Sequence, residues 1–591
     1  MPGLPGWSRS LEYNGVSCER PSPHALPPAL PVVETLPVNN PAAWLQQAFE
    51  LDHHGRWGEA ERLYRQVLQA DPRQPEAWHR LGLIAERAQQ IPAAVDCLRR
   101  AIELQPRNPA LYNSLGTIYE GDNQYRAAID AFEAALRVDP RYATAHSNLG
   151  EVYKALGDVP RAIAAYRAAL AIDPCFFTCR SNLLMVLNYD PHTSPRQIFA
   201  EHCQWGSLKR MFAPPARTGH RTSRDPERPL KIGYLSPDFR KHAVARFFEP
   251  ILRHHDRREF AVHLYAEIPK MDEVSERFRS LAQGWHRTGL VPTDQVVELI
   301  ERDGIDMLVD LAGHTAHNRL DVFLHRPAPV QVTYLGYSNT TGLDSIDYRI
   351  SDAVLDPVDE GLPMTETVVR LPGSFGCFEP PANSPPVSPS PRQSRGHVTF
   401  GSHHPLIKLN DEVLRLWRRV LEAIPDARLL FFRNQFHEPV AREFRARLAA
   451  LGYPLERIEI QCPTSDEASY LRLFDEIDVI LDTFPFNSHT MTCESLWMGV
   501  PIVTLRGDRP TARLSTSVLR QLDLPELCAA TPDEFVTACQ HLANDPQQLA
   551  TLRQTLRDRL RTHLCDGATF TRHLEQLYRQ MWRTWCGEQR R

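Results

Sequence analysis

No apolar run in this 591-residue chain approaches the roughly 18 residues that a membrane-spanning helix needs, so no span is expected. Residues 1–14 lack a basic segment followed by an apolar stretch, which argues against a secretory signal. Excess charge of one sign is missing too. With 67 Lys and Arg against 72 Asp and Glu, the formal net charge is -5 and the isoelectric point near 6.6, which argues against a general nucleic-acid or membrane-surface binder. The 12 cysteines never take C-x-x-C spacing, and reduced thiols of a cytoplasmic protein are expected. Neither G-x-G-x-x-G nor G-x-x-x-x-G-K-[ST] occurs, so neither the usual dinucleotide loop nor a P-loop is supported. No D-x-D occurs either, so a metal-bridged diphosphate is not indicated.

What the chain does have is a ladder. Pro72, Pro106, Pro140 and Pro174 recur every 34 residues, and Ala60, Ala94, Ala128 and Ala162 keep the same spacing, as do Gly82, Gly116 and Gly150 and the apolar set Leu68, Ile102, Leu136 and Leu170. A period of 34 with small residues at fixed offsets is the signature of tetratricopeptide repeats, helix-turn-helix units that bury an apolar face only by stacking on neighbours. A plain helical bundle has no need of constant register. Within one unit, residues 75–90 and 91–105 read as paired helices. Small residues sit where two backbones approach, and each proline stops the second helix.

Residues 1–40 are rich in proline and read as a poorly ordered tail, residues 41–190 as the repeats, and residues 191–229 as a helical bridge (195–212) with a basic connector. From residue 230 short apolar runs alternate with amphipathic segments, the pattern of a doubly wound α/β layer. Strands are expected at 230–235, 261–265, 307–311, 330–335 and 349–351, and in a second block at 398–401, 428–432, 458–461, 479–481 and 501–505. The division is a first lobe over 230–379, a Pro- and Ser-rich surface linker over 380–396, a second lobe over 397–568, and a final helix and tail over 569–591 that packs back on the first lobe. The fold class is therefore multidomain, an all-α repeat superhelix followed by two Rossmann-like α/β lobes. A cleft facing the carboxyl ends of both sheets is the default site.

The most informative stretch is 479–501, VILDTFPFNSHTMTCESLWMGVP. A strand ends at Asp482, a tight loop follows, and a helix starts near His489 or Thr490 and stops at Gly499. Free N–H groups in that first turn, with the positive end of the helix dipole, suit a diphosphate, and Glu494 one turn further in suits ribose hydroxyls. An ordinary βα unit with a capped helix fits the spacing equally well.

These residues resemble the O-linked N-acetylglucosamine transferase family, protein glycosyltransferases of the two-lobe GT-B type that use a nucleotide-diphosphate sugar. The pattern LDT-x5-HT-x3-[DE]-x2-W-x-G covers Leu481 to Gly499; residues 234–242 (YLSPDFRKH) and 326–342 (RPAPVQVTYLGYSNTTG) add matches in the first lobe. What the resemblance implies is inverting, single-displacement transfer of N-acetylglucosamine from UDP-GlcNAc to Ser or Thr hydroxyls, with no cofactor and no metal, and with the polypeptide acceptor lying in the repeat groove. Lys408, in GSHHPLIK, would contact the diphosphate; His489, Thr490 and Met491 would hold phosphates by backbone N–H; Glu494 would bind ribose. His242 matches a proposed general base, with positioning as an equal possibility, and His286 a second sensitive histidine. Gly336 and Asn339 belong to the loop 336–342 that would line the sugar pocket. Pro405 stands where relatives carry a Gln that helps hold the phosphates, Met491 replaces a Thr, Glu494 an Asp, and Tyr470 an aromatic His that stacks on uracil, so base and sugar identity are less firmly implied.

Plainer readings stand beside these. Lys408 could be a solvated lysine ahead of helix 411–423, His242 a helix cap, and His286 and His314 hydrogen-bonded structural histidines. His403 and His404, adjacent on a strand, would point apart, against a paired metal site. Two alternatives of other kinds remain open: the same fold using another nucleotide sugar, such as GDP-fucose, or a non-protein acceptor, and a non-catalytic repeat scaffold that retains UDP binding.

Overall fold

In the computed structural model the described residues are 40–213, 220, 222–463 and 466–587. All but residue 40 of the proline-rich tail expected over residues 1–40, and part of the connector, lie outside them. The described residues form two compact units, divided as 40–152 with 167–173 and as 153–166 with those from 174 onward.

The repeats are antiparallel helix pairs: α1 (Pro41–His53) and α2 (Trp57–Ala70), α3 (Pro75–Arg87) and α4 (Ile91–Leu104), α5 (Pro109–Gly121) and α6 (Tyr125–Val138), α7 (Ala143–Ala155) and α8 (Val159–Ile172). Why the period holds is visible in the contacts. The Cβ of any larger residue at Gly116 would lie 2.5 Å from Cε1 of Phe132, so only glycine admits that helix crossing. At each repeat a different side chain binds the same proline carbonyl: Trp78 to Pro72 (2.9 Å), Tyr112 to Pro106 (3.2 Å), His146 to Pro140 (3.2 Å) and Arg180 to Pro174 (3.3 Å). Position, not residue type, is what repeats there. Two helices follow, α9 (Phe177–Leu187) and α10 (Pro195–Phe212), the latter opened by a Ser194–Gln197 capping box.

The second unit carries two parallel sheets. The first holds β1 (Leu230–Ser236), β2 (Phe260–Ala266), β3 (Gly284–Arg287), β4 (Met307–Asp310), β5 (Val330–Thr333), β6 (Tyr348–Asp352) and β7 (Thr367–Leu371) in the order β3-β2-β1-β4-β5-β6-β7. The second holds β8 (Thr399–Ser402), β9 (Arg428–Phe432), β10 (Ile458–Gln461), β11 (Val479–Leu481), β12 (Ile502–Leu505) and β13 (Cys528–Ala529) in the order β10-β9-β8-β11-β12-β13. β3, β7 and β13 are additions to the sequence reading; all three are short edge or near-edge strands, and β3 is only half-buried. Both sheets are apolar on two faces and must be covered twice. One face of the first sheet meets helix Ala245–His254 and the C-terminal helix Gly567–Gly587, whose Leu574, Tyr578, Met581 and Trp582 join that core. The other face takes Leu184 of α9 and Trp205 of α10.

The segment 380–396 departs from its expectation as a surface linker. Ser390 and Pro391 are buried, Ser388 Oγ donates to Asp475 (2.6 Å), and Arg553 binds the Ser388 carbonyl (2.6 Å), so it is fastened to the second lobe. In each sheet the strand order reverses beside the first strand, between β1 and β4 and between β8 and β11. Loops leaving those strands diverge and leave a crevice at their carboxyl ends.

Candidate active site

The loop after β8 and the loop after β11 meet at the second of these crevices. Pro405, with its fixed φ, opens a tight turn, Leu406–Lys408, that aims Lys408 inward. The ammonium donates to the Asn487 carbonyl (2.6 Å) and to Ser488 Oγ (3.3 Å) and lies 4.4 Å over the Phe486 ring. Lys408 is only 8 % exposed, so it is not a solvated surface lysine. Burial pulls its pKa down to about 7, against the attraction of Asp482 and with help from the nearby Arg433 guanidinium.

Immediately beyond Ser488, helix Thr490–Trp497 begins with no side chain capping it. Its first-turn N–H groups are therefore left without a side-chain acceptor, next in sequence to the residues that Lys408 binds, an arrangement that suits an anion. His489 is stacked between the lobes, 4.2 Å from the Phe247 ring and 4.7 Å from Phe375 of the first lobe. Burial, and then Lys408, push its pKa down to about 3, so it stays neutral.

One turn on, Glu494 accepts from the Tyr470 hydroxyl (3.2 Å), which in turn takes a hydrogen bond from Nδ1 of His403 (2.7 Å). Burial raises the Glu494 pKa, opposed first by Arg246. Arg433, one residue past β9, donates to the His403 carbonyl (2.9 Å) and reaches Met491 Sδ (3.5 Å). It is a second cation in the cluster that the sequence reading passed over, although its place at the carboxyl end of an expected strand was a usable signal. His403 and His404 do not point apart. β8 ends at Ser402, so they lie in the following turn with ring centroids 5.5 Å apart, both buried, His403 on Tyr470 and His404 beside Ser402 and Asp482.

Lys408, His489, Met491, Glu494, Tyr470 and the Pro405 turn are thus one constellation. Thr490 opens the helix beside them, and the other expected residues are held elsewhere. His242 sits in the loop after β1, at the other crevice, with Nδ1 3.3 Å from Asp238 Oδ1 and 3.3 Å from the Val244 nitrogen. Desolvation by the surrounding protein lowers its pKa even though the side chain keeps 39% exposure, Asp238 opposing, so a neutral ring is favoured. Gly336 backs directly on the Leu311 carbonyl, and Asn339 gives its amide to Asn188 (2.9 Å) and accepts from Thr340 N–H, so its side chain is spent on holding the loop. The same loop is held by Tyr337, whose hydroxyl meets His202 Nε2 (2.8 Å) and Asn188 (2.9 Å). His314 is buried against the Thr341 carbonyl (2.8 Å) and Ser181 (3.3 Å), a structural histidine. His286 lies on edge strand β3, paired with Asp303 (2.8 Å) and stacked 5.2 Å from Tyr265, and none of these partners touches the Lys408 cluster. A cleft of about 520 Å³, lined by Arg161, Asp190, Leu406, Arg415 and Arg447 among others, opens behind the Lys408 turn. Among the described residues no helix is long and apolar enough to cross a membrane.

Comparison with known proteins agrees with this architecture. Residues 191–378 and 393–574 match the model of glycosyl transferase family 41, and residues 45–109 and 113–174 match a tetratricopeptide repeat model. A protein of Solanum lycopersicum, named probable UDP-N-acetylglucosamine–peptide N-acetylglucosaminyltransferase SPINDLY, is 40% identical over 409 residues, 68% of this chain and 44% of its own. A UDP-N-acetylglucosamine–peptide N-acetylglucosaminyltransferase of Caenorhabditis elegans is 24% identical over 472 residues, 60% of this chain and 41% of its own. The chain spans less than half the length of these curated relatives. Among solved structures, a mutant of the O-GlcNAc transferase of Thermobaculum terrenum superposes with a TM-score of 0.77 at 33% identity, over 92% of this chain and 98% of that one.

Proposed function

The chain belongs to glycosyl transferase family 41, and on that footing we propose that it transfers N-acetylglucosamine from UDP-N-acetylglucosamine to serine or threonine hydroxyls of polypeptides. The observation that carries the reading is the buried Lys408 ammonium beside the uncapped start of helix Thr490–Trp497. A desolvated cation and oriented N–H groups, fixed before the donor arrives, stabilise charge as it develops on a departing diphosphate. In the reaction the acceptor oxygen bonds to the anomeric carbon as the bond to the diphosphate oxygen breaks. UDP leaves with the electron pair, and the hydroxyl proton passes to a base.

His242 is the candidate base or positioning group, because its ring is 39% exposed, oriented by Asp238 and favoured in the neutral form that can accept a proton. Glu494 takes the ribose hydroxyls in this reading, supported by its place one turn into the same helix and by the Tyr470 hydroxyl that steadies it. The repeats supply an extended surface on which a flexible acceptor docks. A cytoplasmic setting belongs to the same proposal, and the free thiols at all eleven described cysteines support it.

The test is radiolabelled UDP-N-acetylglucosamine with the full chain and with Lys408→Ala, following both transfer or hydrolysis of the sugar and nucleotide binding. Turnover lost in the variant while nucleotide still binds is the expected result. Unchanged turnover in Lys408→Ala, or binding of the donor without any turnover by the wild type, refutes the assignment.

A further inference from the structure

We propose that His263, His286 and Asp303 form a site for one divalent transition-metal ion of the zinc class, on the edge of the first lobe and separate from the Lys408 cluster. Parallel pairing of β2 with β3 sets His263 opposite Gly284 and Tyr265 opposite His286, which brings both imidazoles to one face of the sheet. Asp303 closes helix Thr293–Asp303 just before the left-handed Gly304 and enters from above. Its Oδ2 lies 2.8 Å from Nε2 of His286 and 3.9 Å from Nδ1 of His263, and the three donor atoms all lie within 4.8 Å of one another. Ligands bonded at about 2.1 Å can be no more than about 4.2 Å apart, so both pairs to Asp303 already fit and small side-chain rotations bring in the rest.

An ion-free reading accounts for two of the three groups. His286 and the Tyr265 hydroxyl (2.8 Å) both satisfy Asp303 Oδ2. It leaves Nδ1 of His263, a buried atom with no hydrogen-bond partner, unexplained. That nitrogen is in place only because residue 284 is glycine, since a Cβ there would come within 2.3 Å of it. Two imidazoles and a carboxylate suit zinc and its neighbours rather than magnesium or calcium, and side-chain exposures of 27, 17 and 14% for His286, His263 and Asp303 leave room for water as a fourth ligand. Tyr265 then orients the carboxylate from outside. The neighbouring cation, Lys231, is engaged by the Asp303 backbone carbonyl (2.7 Å) and not by the carboxylate. Such an ion fastens edge strand β3 to β2 and to the helix end. It gives His286 a role other than the one its resemblance implied, and it departs from the expectation of a chain without bound metal.

The full chain, stripped with a chelator, is titrated with cobalt(II) by visible absorption and with zinc by calorimetry and thermal melting. Wild type takes about one equivalent, develops a ligand-field band and melts higher with zinc. His263→Asn and His286→Gln each lose the band and weaken zinc binding on the order of a hundredfold, and Tyr265→Phe weakens it roughly tenfold. Melting of each variant without metal separates lost folding from lost binding, and Tyr265→Phe keeps all three ligands should a histidine variant fail to fold. No band in the wild type, or zinc bound equally tightly by His263→Asn/His286→Gln, overturns the proposal.

Discussion

If Lys408 meets a diphosphate, binding must draw a proton from solution. Burial brings the lysine from 10.5 to about 7, a cost on the order of 5 kcal/mol for keeping it charged there. A diphosphate within reach restores the ammonium by direct attraction. With a bound-state value above about 9, UDP binding takes up about 0.1 proton at pH 6, about 0.5 at pH 7 and about 0.9 at pH 8, and above pH 7 affinity falls towards tenfold per unit. The sign for folding is the same in origin. A cation with a depressed folded-state pKa is penalised fully below pH 7, and the penalty fades as pH rises towards 10.5, so the ligand-free protein gains stability across that window relative to Lys408→Met. His489, neutral throughout with its pKa near 3, adds nothing to this signal. The assay is calorimetric titration of UDP in pairs of buffers with different ionisation enthalpies at each pH, with Lys408→Met as the control for protons taken up by the phosphate. Proton uptake that does not rise between pH 6 and 8, or that is the same in Lys408→Met, refutes the reasoning.

Two further outcomes follow from the contacts. Tyr470→Phe strips a hydroxyl shared by His403 and Glu494, and leaving those partners unmatched costs about 1–3 kcal/mol; nucleotide affinity should drop with it, and an unchanged melting temperature and Kd would be the contrary result. Gly336→Ala forces a Cβ to within 2.0 Å of the Leu311 carbonyl, so chemical denaturation should report a loss of roughly 1–3 kcal/mol or more, whereas a neutral variant would mean that the loop shifts freely.

How much of this was legible in the sequence depends on the range of the contacts involved. The repeats were readable because 34-residue spacing is a local, additive signal, and β9, β10 and β11 because their apolar runs are bounded by turns. β3 was not, since Gly284, Trp285, His286 and Arg287 are half-exposed or exposed and carry no strand pattern. Within the cluster, Lys408 and the helix start at Thr490 were placed by motif. The bonds from Asn188 and His202 to Tyr337 were invisible because they join residues 149 and 135 positions apart. The turn holding His403 and His404 was misread for a related reason: where β8 stops is decided by its neighbours in the sheet, not by its own residues.

Those long bonds bear on how the protein can be trimmed. The family match begins at residue 191, an inviting place to cut a minimal catalytic fragment. A chain started there would shed Ser181 and Asn188, and with them one hydrogen-bond partner each of His314, Tyr337 and Asn339. The last helix counted with the arm, Phe177–Leu187, is in physical terms a buttress of the loops carrying His314 and Tyr337, and shortened versions should keep it.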